Sequence, residues 1–267
     1  MKKFRIYDLR FTILNFNILP LASCLLLLAF CLSFYNFAYA KIEVKTDSAV
    51  ITFLEGNAEY KKKDDVKWNA LKKDTLLKEG DEVKTLEKTK IELTLSDKSV
   101  MRFASNTSFL ITQLKSAKGD KGGSAGVKLL LGKFYGNVSK MAKKDSEFKV
   151  ETKVAVAGVR GTIYRVDMEK DDSYLTRVYE GKIEVSNPPY EIPKPQVVGG
   201  PQPVPGPSRI EGPKQVTFEE WVEIVGALQQ YSIAPDGTRK KEKFSLEEDM
   251  KLDWVKWNAE RDKLVER

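Results

Sequence analysis

Hydrophobic and polar residues alternate with a period of two along much of the chain between residues 41 and 186. The run at residues 91–95 places apolar residues at the odd positions and the polar Glu92 and Thr94 between them. Such alternation is typical of strands that pack one face on a core and turn the other to water. The runs are short and end at turn residues. They predict a mainly β fold, either an antiparallel β-sandwich or roll, or a solenoid-like domain.

Three of these runs open on a glycine that is followed two residues later by an apolar residue. They begin at Gly56, Gly132 and Gly181. Their spacing along the chain is irregular, whereas a true repeat would keep a fixed period. The pattern therefore predicts that one type of turn is used several times.

The C-terminal part of the chain, residues 214–267, has a helical pattern. Thr217 and Glu220 have the spacing of a capping box, and so do Ser245 and Glu248. Apolar residues follow each box at helical spacing, and a Pro-Asp-Gly turn separates the two stretches. The sequence predicts a C-terminal helical hairpin.

Three tryptophans belong to these predicted helices: Trp221, Trp254 and Trp257. An apolar stripe on a helix packs either against its own domain or against a partner. The mixed charges beside the stripe do not fit a basic helix that lies on a membrane surface. We therefore consider all three tryptophans as candidate partner contacts, with packing on the chain's own domain as the alternative.

Prolines concentrate between the two regions. Nine of the eleven prolines lie from Pro188 to Pro213. Such a stretch forms neither a sheet ladder nor a helix interior, and it predicts a stiff, extended linker. The expected order is a segment 1–40, a β-domain 41–187, a linker 188–213 and a helical segment 214–267.

The first forty residues have the pattern of an export signal. Four basic residues precede an uncharged stretch from Phe11 to Ala40, which ends in Ala38-Tyr39-Ala40. We expect export to the periplasm with cleavage after Ala40. Because thirty uncharged residues can also span a bilayer, an uncleaved inner-membrane anchor is the alternative. Both cysteines, Cys24 and Cys31, lie here, so the mature domain has no disulfide.

The composition and the charge pattern argue against an enzyme and against a nucleic-acid-binding protein. The 267 residues carry a net charge of +7 and contain no histidine. Histidine is the commonest general base and metal ligand, and without it we expect no catalytic residue, no cofactor, no metal site and no enzymatic activity. The charges are interleaved in sign, whereas nucleic-acid binders carry basic stripes, so we expect no nucleic-acid partner.

The most distinctive segment is Gly158-Val159-Arg160-Gly161-Thr162, which places an arginine between glycines in an apolar run. A buried guanidinium needs a partner, and its fork suits a carboxylate or several carbonyls. We expect Arg160 to be buried and bonded to Asp81, Asp97 or Glu180, or to backbone carbonyls. The alternative is that Arg160 contacts a ligand or a partner.

This segment and several others resemble the FecR family of bacterial periplasmic regulatory domains. Trp68 and Gly80-Asp81 resemble the opening pattern of the family, and a strand ending near Asp97 and the run 179–185 resemble later parts of it. The resemblance spans about residues 50–186 and implies an all-β extracytoplasmic domain without enzymatic activity. It implies structural or partner-contact roles for the motif residues Gly158, Val159, Arg160, Gly161, Thr162, Asp81, Asp97 and Trp68.

The best-known members of that family pass a signal from an outer-membrane siderophore receptor to a cytoplasmic sigma factor. They do so through a cytoplasmic domain that precedes the membrane span. Only ten residues precede the uncharged stretch here. We therefore expect a stand-alone FecR-like protein without the cytoplasmic anti-sigma domain.

The leading hypothesis is a non-enzymatic binding and signalling module that contacts an envelope protein in the periplasm. One alternative is a polysaccharide- or peptidoglycan-binding envelope protein, which would need exposed aromatic side chains such as Tyr135, Tyr164 or Tyr179 on one sheet face. A second alternative is a membrane-anchored signal transducer that acts with a separate regulator. This last case requires that the signal segment stays uncleaved in the inner membrane.

Overall fold

A computed structural model describes residues 47–117, 122–139, 146–188 and 222–265. All of them belong to one unit, Val44–Arg267. The predicted export segment, the predicted linker from residue 189 onward and Trp221 lie outside the described residues.

Seventeen strands and two helices make up the described part of the chain. The strands are β1 (Ala49–Glu55), β2 (Ala58–Lys61), β3 (Asn69–Ala70), β4 (Leu76–Leu77), β5 (Glu82–Thr85), β6 (Lys90–Thr94), β7 (Val100–Phe103), β8 (Ser108–Lys115), β9 (Ser124–Asn137), β10 (Glu147–Glu151), β11 (Val156–Val159), β12 (Ile163–Met168), β13 (Tyr174–Glu180), β14 (Lys182–Ser186), β15 (Val222–Gly226), β16 (Gln229–Ile233) and β17 (Arg239–Lys243). The helices are α1 (Leu246–Asp249) and α2 (Asp253–Val265).

The strands form two sheets that share one long strand. Sheet A has the order β4-β1-β6-β7-β9-β12-β13-β16-β17. Sheet B has the order β3-β2-β5-β8-β9-β10-β11-β14-β15. Among these pairings β9–β10 is parallel and the others are antiparallel. The predicted mainly β class is confirmed.

Strand β9 passes from one sheet to the other. Its residues 124–131 pair with β8 in sheet B, and its residues 132–137 pair with β12 in sheet A. The change of sheet falls at Gly132, whose φ is +100°. Glycine adopts this backbone conformation without the strain that a side chain would cause.

The core lies between the two sheets and is rich in aromatic rings. Phe103 of sheet A stacks on Phe109 of sheet B with their centroids 3.6 Å apart, and Phe134 of sheet A lies 6.4 Å from Phe148 of sheet B. In β10 the predicted alternation is present, because Phe148 and Val150 are buried between less buried neighbours. Burial of such large apolar side chains is the main force that holds the sheets together.

The structure corrects the first of the two predicted helices. The segment that follows Thr217 and Glu220 is described from Val222 onward, and it forms strands β15 and β16. Strand β15 extends sheet B beside β14, and β16 extends sheet A beside β13. The β-branched run around Ile224 suits a strand, and pairing at two open sheet edges outweighs a helical spacing that was equally compatible with the sequence.

The second predicted capping box, Ser245 and Glu248, does begin a helix. The Ser245 hydroxyl accepts a hydrogen bond from the Glu248 N–H at 3.3 Å and begins α1, after which α2 follows. The predicted Pro-Asp-Gly turn also forms, but it joins β16 to β17, with Gly237 at a φ of +83°. Within the described ranges we find no helix that is long and apolar enough to span a bilayer.

Candidate functional site

The chain changes sheet three times through the same local structure, which we call the Thr corner. The three corners are Glu87-Lys88-Thr89, Ser105-Asn106-Thr107 and Arg160-Gly161-Thr162, each directly before a strand. The middle residue is left-handed in each, with φ of +51°, +55° and +60° in that order. The threonine is at most 1 % exposed, and its hydroxyl donates to the carbonyl two residues earlier at 3.1, 3.3 and 3.1 Å.

Each buried threonine faces one of the three glycines that open the strand runs. A Cβ on Gly56, Gly132 or Gly181 would lie 2.6, 2.4 or 2.8 Å from the hydroxyl oxygen of the facing threonine. All three glycines have positive φ, at +84°, +100° and +85°. The predicted reuse of one turn is therefore confirmed, and its physical basis is a close approach that leaves no room for a side chain.

Arg160 does not occupy the buried position predicted for it. It is exposed, at the first position of its corner, and the buried residue of the motif is Thr162. The Thr162 hydroxyl donates to Lys182 O at 2.9 Å and so ties β12 to β14. The prediction was wrong because the apolar run bends at Gly161, and the bend turns the preceding side chain outward.

Two of the three carboxylates proposed as partners of Arg160, Asp81 and Asp97, have other roles. Asp81 is buried and accepts from Lys62 Nζ at 2.6 Å and from the Lys78 N–H at 2.9 Å. Asp97 accepts from the backbone and the hydroxyl of Ser99, both at 2.9 Å. Both carboxylates therefore hold turns.

The remaining motif residues lie in or beside sheet B. Trp68 is half-buried with Lys84 Nζ 4.0 Å from its ring centroid, whereas Glu180, the third proposed partner of Arg160, is exposed at the end of β13 in sheet A. Val159 is buried in β11. Gly158 lies in the same strand, where a Cβ would meet only Glu184 O, at 3.8 Å. The local backbone thus does not require glycine at position 158.

A second constellation, which the sequence did not suggest, crosses the outer face of sheet A. Seven polar side chains stand directly opposite one another on successive strands, and we call them the polar row: Glu92, Arg102, Tyr135, Arg165, Arg177, Gln230 and Glu242. The first four are at most 4 % exposed. A face of this polarity normally contacts water, but here α1 and α2 cover it.

One end of the polar row is an ion-pair cluster around Glu92. Its carboxylate accepts from Arg102 Nε at 2.7 Å and from Arg261 Nε and Nη2 of α2 at 2.8 and 2.9 Å. Arg102 Nη1 also donates to Asp262 Oδ1 of α2 at 2.6 Å, and the Tyr135 hydroxyl donates to Asp262 Oδ2 at 2.6 Å. Charge-assisted bonds in a dry site are strong, and these bonds tie α2 to three strands.

Asp249 at the end of α1 forms the second cluster. It accepts from Arg165 Nη1 at 2.9 Å, from Arg177 Nη1 and from the Tyr179 hydroxyl at 2.7 Å. Arg165 and Arg177 stand opposite each other on β12 and β13, so their like charges would repel without this carboxylate. Burial and the neighbouring Asp249 raise the pKa of Tyr179, which keeps its hydroxyl protonated as a donor.

The three tyrosines proposed as an exposed aromatic platform do not form one. Tyr164 is fully buried in the core, Tyr135 is 4 % exposed beneath α2, and Tyr179 is half-buried and bonded to Asp249. The expectation failed because two of these residues belong to the covered face of sheet A.

Trp254 and Trp257 lie on α2, half-buried, with their rings stacked at a centroid distance of 5.4 Å. Trp257 also contacts Phe53 of β1, at 5.5 Å between centroids. The sequence left open whether these tryptophans contact a partner or pack on their own domain, and the structure shows that Trp257 packs on its own domain.

Acid is expected to weaken the Glu92 cluster. Burial raises the pKa of Glu92, but the bonds from Arg261 and Arg102 outweigh it and hold this pKa below its ordinary value of 4.5. A carboxylate with a lowered folded-state pKa contributes stability above its unfolded pKa and loses it as the pH falls through the folded pKa. We expect the urea midpoint of the wild type to exceed that of Glu92→Gln at pH 7, and the gap to shrink below about pH 4.5.

The difference in urea midpoint between the wild type and Glu92→Gln, taken at each pH, removes the contributions of the other titrating groups. Burial raises the pKa of Asp167, which gives the opposite pH dependence, but this contribution is present in both proteins and cancels in the difference. A gap in midpoint that stays constant from pH 7 to pH 3 would contradict the assignment to Glu92.

At one end of the domain a cavity of about 300 Å³ opens between strand ends. Its rim contains several hydroxyls and carboxylates, among them Asp47, Asp97, Ser96, Ser116, Ser124 and Ser139. Leu95 and Leu114 line the apolar part. Across the described residues no group of three or more carboxylates, cysteines or histidines is placed to hold a metal ion.

By its fold, the described part of the chain is a mainly β module in which Thr corners connect two sheets and a C-terminal helix pair covers one outer face. Residues 81–184, from the start of β5 into β14, match the model of the family described as FecR protein. This part of the chain is therefore similar to the FecR family, as the motifs indicated.

Two solved structures are similar to part of the chain. Both are crystal structures of a candidate anti-sigma factor from Parabacteroides distasonis, at 1.65 and 2.50 Å resolution. Each is 18 % identical and matches with a TM-score of 0.41, over 61 % of this chain and 59 % of theirs. No curated protein matches the chain.

Proposed function

We propose that this chain is a non-enzymatic binding and signalling module that acts in the periplasm by contacting an envelope protein. The similarity to the FecR family supports a regulatory role, since that family transmits signals across the envelope. The basic N-terminus followed by thirty uncharged residues supports export.

Arg160 is the observation that carries the proposal. The geometry of the Thr corner accounts for Gly161 and Thr162, because it needs a left-handed residue and a buried hydroxyl. It does not account for Arg160, since the equivalent positions of the other two corners are Glu87 and Ser105. An exposed arginine on a rigid corner is suited to partner binding, because arginine is enriched among the residues that dominate binding energy.

The test is in-cell crosslinking of the tagged full-length chain, with mass spectrometry of the captured partners and of its N-terminus. We expect Arg160→Glu to reduce the yield of the main envelope partner by about tenfold. The melting temperature should stay within about 2 °C of wild type, because the side chain is exposed. A mature start at Lys41 would support a cleaved periplasmic protein, and an intact N-terminus would support the anchored transducer.

Arg239→Glu is the matched control. Arg239 is also an exposed arginine, but it lies on β17 outside the Thr corners. Because Arg239→Glu reverses the charge in the same way as Arg160→Glu, we expect the crosslinking yield of this control to equal that of the wild type. If Arg160→Glu and Arg239→Glu gave the same yield as wild type, Arg160 would not be the contact residue and the proposal would lose its main support.

The cavity at the end of the domain favours a second candidate, a polysaccharide or peptidoglycan binder. Hydroxyls and carboxylates around an apolar floor can hydrogen-bond the hydroxyl groups of a sugar, and about 300 Å³ is at the small end of ligand pockets. The tyrosines Tyr135, Tyr164 and Tyr179 do not support sugar binding, because they do not form an exposed aromatic platform. Co-sedimentation with purified sacculi that survives in Ser139→Leu would argue against binding in this cavity.

A further inference from the structure

The contact between α2 and sheet A is unusually polar for a helix packed on a sheet. Among the α2 side chains that the structure describes, the buried ones are Val255, Asn258 and Asp262. These positions are spaced i, i+3 and i+7 and share one helix face. The buried face of the helix therefore consists of one apolar, one amide and one acidic side chain. Beside this face Arg261 bonds Glu92 and Trp257 packs on Phe53, so charged contacts contribute a large part of the attachment.

The fit between α2 and the polar row is incomplete. Of the buried side-chain polar atoms without a hydrogen-bond partner among the described residues, three belong to Arg102 and α2: Arg102 Nη2, Asn258 Oδ1 and Trp254 Nε1. Arg102 uses its other two nitrogens on Glu92 and Asp262. Asp262 divides its two oxygens between Arg102 and Tyr135, so it cannot engage the guanidinium through both. Buried donors without acceptors weaken a contact, because water would have satisfied them.

A charged interface also opens more readily than an apolar one of the same size. When α2 leaves the sheet, Asp262 and the arginines recover the hydration that they lost on burial, which offsets much of the lost attraction. Segments that bury few apolar contacts lie at the low end of local stability. We therefore expect α2 to open more readily than the strands of the core.

We propose that the polar row of sheet A is a docking surface for an amphipathic helix that carries a carboxylate on its contact face, and that α2 is its resident occupant, which a partner's helix replaces. Charge complementarity defines the partner. Arg102 is paired with Asp262 of α2, and Arg165 and Arg177 share the carboxylate of Asp249 of α1. The incoming helix would present an acidic residue next to an apolar one on a single face, as α2 does. None of the residues of the Arg160 corner takes part, so this proposal and the proposed function can fail separately.

The test measures binding of a fluorescent peptide with the sequence of residues 245–265 to the full chain. In Asp249→Asn/Asp262→Asn the resident helices lose their anchors, and we expect this variant to bind the peptide at least about tenfold more tightly than wild type. The matched control is Glu247→Gln/Glu260→Gln, which changes the same number of acidic residues at exposed positions of the same helices. It should bind the peptide as wild type does.

A purely structural role for α2 predicts the opposite result, a weakened fold with no gain in binding. Equal peptide affinity in all three proteins, with each folded by circular dichroism, would overturn the proposal. Hydrogen exchange of the wild-type chain provides a second measurement that needs no variant. We expect the amides of α2 to exchange at least about tenfold faster than those of β7 and β12. Exchange of α2 at the rate of those strands would also overturn it.

Discussion

Replacing Arg102 with alanine is expected to lower the free energy of unfolding by about 3–5 kcal/mol, because it leaves the buried Asp262 without its cation and leaves Glu92 with Arg261 alone. Arg102 is fully buried and bonds both Glu92 and Asp262. Removing it exposes neither acid to water in the folded state, so both keep the cost of burial. For a domain of this size the melting temperature should fall by roughly 10 °C, as measured by calorimetry.

Arg160→Ala provides the control for this prediction. Both residues are arginines in apolar strand runs, but Arg160 is exposed and is expected to change stability by at most about 0.5 kcal/mol. If the two variants melted at the same temperature, the Glu92 cluster would not contribute to stability as described.

The difference between these two arginines shows where sequence reasoning reaches its limit. A buried arginine in an apolar run does need a partner, but the residue that meets this condition is Arg102 and not Arg160. Arg102 stands in the equally apolar run Val100–Phe103, and its partner Asp262 is 160 residues away. A contact of that separation depends on strand register and on the docking of α2, and a local pattern contains neither.

A contact with a distant segment also explains why the sequence predicted the face on which Glu92 lies but not its burial. Its alternation with apolar neighbours correctly placed it on the outer face of β6, yet it is 3 % exposed because α2 covers that face. Period-two patterning shows which side chains share a face, but not what lies over it. The acidic residues of the last helix were the signal that a charged sheet face had a partner within the chain.

The Thr corners show which features of the fold a local sequence pattern can predict. The repeated glycines indicated a reused turn, and that prediction was correct because a glycine at positive φ depends on the local backbone. The facing threonines were missed because each lies on a different segment from its glycine, 33 residues on for Gly56 and 19 back for Gly181. Without a fixed spacing, no sequence pattern joins the two members of each pair.

Substituting Gly132 with alanine tests the corner geometry directly, and we expect it to cost about 2–4 kcal/mol of folding free energy. The residue has a φ of +100°, and a Cβ there would lie 2.4 Å from Thr107 Oγ1 and 2.6 Å from Thr107 Cα. Because the second contact is with backbone, truncating the threonine in Gly132→Ala/Thr107→Ala should not restore stability. Urea unfolding of the single and double variants measures both effects.

Gly158→Ala is the matched control, since Gly158 is also a strand glycine but lies where a Cβ fits. Its φ is not left-handed, and the nearest atom to the added carbon would be Glu184 O at 3.8 Å. We expect this variant to be as stable as wild type or more stable by about 0.5–1 kcal/mol, because alanine restricts the unfolded chain. Equal losses at Gly132 and Gly158 would mean that strand glycines are required in general, and the close approach of glycine to threonine would then not explain the corner.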